Sequence, residues 1–146
     1  MKKETTSFFN NKNIVGYKNL CFDPDYTIKP LKILLVEDHD IWASYVKLVL
    51  EKISREFLYA RNGSEAIKIC LNNPDIDFIL MDRNMPELNG YKATMQIRKF
   101  NTEVIIVEQS SEPDRIKAIE NGLNDSISKP FFQIELITIL NKYFNN

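Results

Sequence analysis

The chain has 146 residues, 44% hydrophobic and 27% charged, with a formal net charge of -1, the proportions of one soluble globular domain with a real core and a short tail. Its basic residues are scattered among acids, so the electrostatic footprint of a nucleic-acid binder is missing, and no apolar run approaches the ~20 residues needed to span a bilayer. Cys21 and Cys70 fit no metal or redox spacing and the amino terminus lacks a signal-peptide core, so reduced thiols in a cytoplasmic protein are expected.

Residues 1–30 differ in character from the rest of the chain. Breaker clusters at Asn10 to Asn13 and Asp23 to Asp25 alternate with short apolar pieces, and Phe8, Phe9, Tyr17, Phe22 and Tyr26 are too apolar for a purely solvated tail. This stretch reads as a partly ordered extension or docking arm, with a floppy extension as the alternative. Pro30 sets the boundary, and residues 31–146 form the main domain.

Lys32 to Val36 is a continuous apolar run that suits a strand buried on both faces. Asp40 is the expected N-cap of a helix over Ile41 to Ile53, with Trp42, Val46, Val49, Leu50 and Ile53 on one face. Glu56 to Ala60 is a second strand. Ser64 is the expected cap of a second helix, Glu65 to Leu71, that turns Ala66, Ile67 and Cys70 inward. Phe78 to Met81 is a third strand ending at Asp82, and a helix runs from Gly90 to about Lys99. Val104 to Val107 is a fourth strand. A fourth helix, Pro113 to Asn121, has Pro113 in its first turn and Gly122 as its stop. Ser126 to Ser128 is a fifth strand. The last helix starts at Phe131 or Phe132 and ends at Tyr143, with Phe132, Leu136, Ile139, Leu140 and Tyr143 on one face and Ile134, Ile137 and Phe144 flanking it. Its apolar arc is wider than one face, which points to a partner or dimer surface or to deeper burial by the arm.

Strand-then-helix units with short links imply a parallel sheet covered by helices on both sides. Such a sheet binds its ligand beyond the carboxyl ends of its strands. Those ends carry Glu37 and Asp38, then Asp82, then Glu108, then Lys129-Pro130. Carboxylates this close repel by ~4 kcal/mol per pair at 4 Å in an effective dielectric of 20, so the cluster calls for a cation or protons. Carboxylate oxygens suit Mg2+, which also takes waters and a phosphate oxygen, and a lysine supplies a point charge for a phosphoryl group.

Val36-Glu37-Asp38, Met81-Asp82 followed by Met85-Pro86, Asn89-Gly90 and Ser128-Lys129-Pro130 resemble the signature of the response-regulator receiver domain of two-component signalling, over about residues 32–144. The resemblance implies a chemotaxis-regulator-like, flavodoxin-like fold: a three-layer α/β/α sandwich on a five-stranded parallel sheet of order 2-1-3-4-5. It also implies roles. Asp82 is the phosphoacceptor, Lys129 neutralises phosphoryl charge, and Mg2+ is held by Glu37, Asp38, Asp82 and the Asn84 backbone carbonyl. A cis bond is expected before Pro130. The donor is a sensor histidine kinase or a phosphotransfer protein.

Two positions depart from the family pattern. Aligned on the apolar run, Glu108 stands where receivers carry the switch Thr or Ser; aligned back from Gly122, Val107 does. Ser126, three before Lys129, replaces the usual aromatic. Glu108 is expected either to pair with Lys129 and hold an active-like loop or to shorten the life of the phosphate. Arg83 is expected at the mouth of the site, and His39, the single histidine, is read as a loop residue rather than a ligand.

The function expected is a stand-alone receiver, a signalling domain rather than an enzyme, that accepts phosphate and signals by protein contact. The downstream partner is expected on the helix 4–strand 5–helix 5 face, with a homodimer as an alternative and no nucleic-acid or membrane partner. Only Asn145-Asn146 follows the last helix, so no output domain is expected. The rival is a pseudo-receiver whose output does not depend on phosphate. A small hydrolase with an Asp nucleophile is disfavoured, because Asn84 rather than Asp stands two residues after Asp82.

Overall fold

The computed structural model describes residues 28–145; Cys21 and the five aromatic residues of the expected arm lie outside the described residues. Five parallel strands, β1 (Leu31–Val36), β2 (Ser54–Ala60), β3 (Phe78–Asp82), β4 (Ile105–Ser110) and β5 (Asp125–Ser128), pair in the order β2-β1-β3-β4-β5. Between them run α1 (Asp40–Leu50), extended by a 3-10 turn (Glu51–Ile53), then α2 (Gly63–Asn72), α3 (Gly90–Arg98) and α4 (Arg115–Glu120). All of these lie in one compact unit, Lys29–Phe131. This is the flavodoxin-like order the resemblance implied.

The sheet is built on two central strands that are mostly apolar on both faces, and every residue of β1 and β3 is buried. Leu34, Val36, Ile79, Met81 and Ile106 share one face and pack with Ala66 and Cys70 of α2, Ala93 and Ile97 of α3 and Ala118 of α4. Alternation puts Ile33, Leu35, Phe78, Leu80 and Val107 on the other face, where Leu35 and Ala43 of α1 line one cavity. Three layers result. Cys70 is a free thiol in this core, pushed up to about 12 by burial.

Several boundaries move for identifiable reasons. The cap of α1 is His39, whose Nδ1 accepts from the Trp42 amide at 3.3 Å; the expected cap, Asp40, instead pairs with Arg61 at 2.9 Å. Asn62, not Ser64, caps α2 by accepting from the Glu65 amide at 2.8 Å. Asp114 caps α4, so Pro113 lies ahead of the helix. Gly122 ends α4 with φ 91°, as its place in the sequence required. β4 continues past Val107 through Glu108, Gln109 and Ser110, all three buried; Glu108 and Gln109 pair with both neighbouring strands and Ser110 with β5.

α5 (Gln133–Phe144) belongs to a second unit. Its buried residues are Leu136, Ile137 and Leu140. Phe132 precedes the helix and is 77% exposed, whereas Leu136 and Leu140, expected on the same face, are buried. With the helix starting at Gln133, Phe132 escapes its periodicity.

Candidate functional site

Four side chains reach the carboxyl rim of the sheet because their strands end there. β1 delivers Glu37 and Asp38, and β3 ends at Asp82. Lys129 follows β5, its amide held by the Ser110 carbonyl at 2.8 Å and its bond to Pro130 cis. Glu37 is fixed through its main chain: its amide donates to the Ala60 carbonyl at 3.0 Å, and its carbonyl accepts from the Tyr59 hydroxyl at 2.8 Å. The β3–α3 loop closes tightly over Asp82. Gly90 donates to the Arg83 carbonyl at 3.0 Å, and a Cβ at Gly90 would collide with the Asp82 carbonyl and lie 2.9 Å from Met81 Cγ.

These residues line an open cleft of about 440 Å³ with His39, Trp42, Asn84, Ser111 and Pro130. Carboxylate oxygens of Glu37, Asp38 and Asp82 all lie within 4.8 Å of one another. Lys129 Nζ sits 2.6 Å from Glu37 Oε2 and 3.4 Å from Asp82 Oδ1. The Asn84 amide donates to Asp82 Oδ1 at 3.2 Å. Burial and then the Glu37 carboxylate push the Asp82 carboxyl up to about 7, against the pull of Lys129 and the Asn84 amide. Three hard oxygen donors, two buried and one, Asp38, exposed to solvent, fit a divalent cation that keeps part of its water shell. Such a charge would relieve the repulsion that raises Asp82.

A family model for the response regulator receiver domain matches residues 33–141. The chain belongs to the receiver domain family. The transcriptional regulatory protein SrrA of Staphylococcus aureus is 32% identical over 108 residues, 73% of this chain and 44% of SrrA, so the chain spans less than half the length of this curated relative. The receiver domain of the sensor histidine kinase PA1611 from Pseudomonas aeruginosa, solved with magnesium in its active-site cleft, is 30% identical with TM-score 0.70, covering 79% of this chain and 98% of that one. A chain from the co-crystal structure of the Saccharomyces cerevisiae phosphotransfer protein Ypd1 and the receiver domain of Ssk1 is 27% identical with TM-score 0.73, covering 81% of this chain and 91% of that one. Receivers are signalling domains of two-component systems. Among the described residues no helix is long and apolar enough to cross a membrane.

In this receiver, Glu108 and Ser126 stand directly opposite each other across β4 and β5. That register agrees with the alignment that sets Glu108, rather than Val107, against the strand-five position. Glu108 does not line the cleft and does not pair with Lys129 as expected. Its side chain shares a face with Ile106, on the side of α3. There Oε1 accepts from the Tyr91 hydroxyl at 2.9 Å and meets Arg83 Nη1 at 3.3 Å. Arg83 likewise leaves the mouth of the site and lies over the Tyr91 ring, 5.9 Å from its centroid. Burial pushes the Glu108 carboxyl up, with Tyr91 and Arg83 opposing.

The sequence reading missed Tyr91 and Gln109. Gln109 points to the α1 side, where its Oε1 accepts from Trp42 Nε1 at 2.7 Å, and Trp42 packs edge-on against Phe131 with centroids 4.9 Å apart. Tyr91, immediately after Gly90, was visible only as the opening of a helix. The buried Ser110 hydroxyl accepts from the Glu112 amide at 3.1 Å.

Proposed function

We propose that this receiver accepts a phosphoryl group on Asp82 from a histidine kinase or phosphotransfer protein and signals by contact with another protein. The observation that carries the reading is the cleft itself, where three carboxylates lie within 4.8 Å and Lys129 bridges Glu37 and Asp82. An ionised Asp82 is the nucleophile, and a carboxyl near 7 is ionised in about half of the molecules at neutral pH. Lys129 shares its charge between Glu37 and Asp82 and is placed to take up phosphoryl oxygens. Glu37, Asp38, Asp82 and the Asn84 carbonyl would hold Mg2+, which when bound supplies charge neutralisation for the incoming phosphoryl group. The magnesium in the PA1611 receiver supports this reading, and the Ypd1–Ssk1 pair supports a phosphotransfer donor.

The layout belongs to the same proposal: an extension over residues 1–30, a receiver over 31–146, and a cytoplasmic setting. An output contact fits α4, where Ile116 is 73% and Ile119 46% exposed. The second reading, a receiver whose output ignores phosphate, is favoured by one observation, the engagement of Glu108 with Arg83 and Tyr91.

Incubation with a small phosphodonor and Mg2+, resolved on a phosphate-affinity gel, tests the first reading. A retarded band is expected for the wild type and none for Asp82→Asn. No band in the wild type overturns phosphoacceptance and leaves the second reading.

A further inference from the structure

We propose that Glu108, Arg83 and Tyr91 form a clamp that holds the carboxyl end of β4 in one position whatever the charge on Asp82, so that a partner sensing the loaded state must touch the rim of the cleft. The proposal rests on the reading of Asp82 as the phosphoacceptor and deepens it by saying where its state is legible.

The clamp joins three elements. Glu108 is 0% exposed in β4, Tyr91 stands in the first turn of α3, and Arg83 begins the loop between β3 and α3. One oxygen, Glu108 Oε1, takes both the Tyr91 hydroxyl at 2.9 Å and Arg83 Nη1 at 3.3 Å. Arg83 is also tied through its main chain, its amide to the Gln109 carbonyl at 3.2 Å and its carbonyl to the Gly90 amide at 3.0 Å. Glu108 therefore cannot swing toward Asp82 without unpairing a half-buried guanidinium, 17% exposed, and a buried hydroxyl, each at a cost. Its other oxygen, Oε2, has no hydrogen-bond partner among the described residues.

Charge acts in the same direction. A hydroxyl at this position could donate to a phosphoryl oxygen, but an ionised carboxylate only accepts. A phosphoryl group adds negative charge at Asp82, which repels Glu108 from the cleft and leaves it on Arg83. Loading thus reinforces the clamp. Opposite Glu108 in register stands Ser126, too small to push β4 aside. The exposed Ile116 and Ile119 of α4 accordingly present the same face before and after loading.

Hydrogen exchange of residues 108–120, read beside Trp42 fluorescence as the monitor of the cleft, tests this with beryllofluoride and Mg2+ as the phosphoryl mimic. In the wild type the fluorescence is expected to change while exchange over 108–120 stays within about twofold. Exchange slowed or accelerated about tenfold or more on loading overturns the clamp. In unloaded protein, Arg83→Ala is expected to accelerate exchange over 108–120 by about tenfold or more, and Glu108→Gln, which keeps the volume and the Tyr91 contact, by less. Unchanged exchange in Arg83→Ala also overturns it. If the mimic produces no fluorescence change, phosphoacceptance fails, and the unloaded Arg83→Ala comparison alone decides the clamp.

Discussion

Two buried carboxylates sit on adjacent strands one register step apart: Glu108 is paired with Met81, and Asp82 with Gln109. Burial raises both. Asp82 faces an open cleft in which two further acids and a lysine crowd it, and its charge is unsettled. Glu108 is sealed against an arginine and a tyrosine, and its charge is spoken for. The same functional group thus stands open or sealed according to which side of the sheet its strand position faces. One step along β4 decides it.

The comparison breaks most easily at the lysine. Lys129→Ala should reduce phosphoryl incorporation from a small donor by about a hundredfold, the scale for losing a preorganised charge at a reacting group, while Glu108→Gln should change it less than about threefold. Equal losses in initial-rate measurements would show that the two carboxylates are not separate systems.

Stability should show the reverse order. Arg83→Ala leaves the fully buried Glu108 carboxylate with Tyr91 alone and should cost about 3 kcal/mol in urea unfolding, whereas Lys129→Ala leaves carboxylates that face an open cleft, where Asp82 can take up a proton, and should cost about 1 kcal/mol. Comparable costs would erase the contrast between sealed and open sites.

The smallest effect is the pH slope. With its folded carboxyl near 7 and an unfolded value near 3.9, Asp82 binds its proton more tightly when folded. The unfolded chain then carries fewer protons between about pH 4 and 7, and stability falls as pH rises through that window. Asp82→Asn should match the wild type near pH 4 and melt higher than it at pH 8. Added Mg2+ should narrow the gap at pH 8 by stabilising only the wild type. A constant offset at both pH values would place the strain elsewhere.

The sheet was readable because β1 and β3 are buried on both faces, and four apolar residues in a row then point to a strand without any knowledge of neighbours. The cleft was readable for a related reason: an acid directly after such a strand has only the rim to occupy. Glu108 was not readable in this way. Ending β4 at Val107 was the natural choice when the next residue is charged, yet the ladder runs on to Ser110. Whether Glu108 meets Lys129 or Arg83 depends on which face its side chain takes, a property of the register. Gln109 with Trp42 is a similar case, 67 positions apart. The caps failed for local reasons: Asp40 was drawn to Arg61, and Asn62 outcompeted Ser64 from two positions earlier.

Gly90 gives the cleft a mechanical reference point. Its missing Cβ leaves only enough clearance for the Asp82 carbonyl, so the first residue of α3 acts as an end-stop for β3. The strand cannot advance by even a fraction of its ~3.3 Å residue rise without driving that carbonyl into the helix. The height at which the carboxylate stands above the sheet is therefore set from outside the cleft, by a residue with no side chain to mutate away.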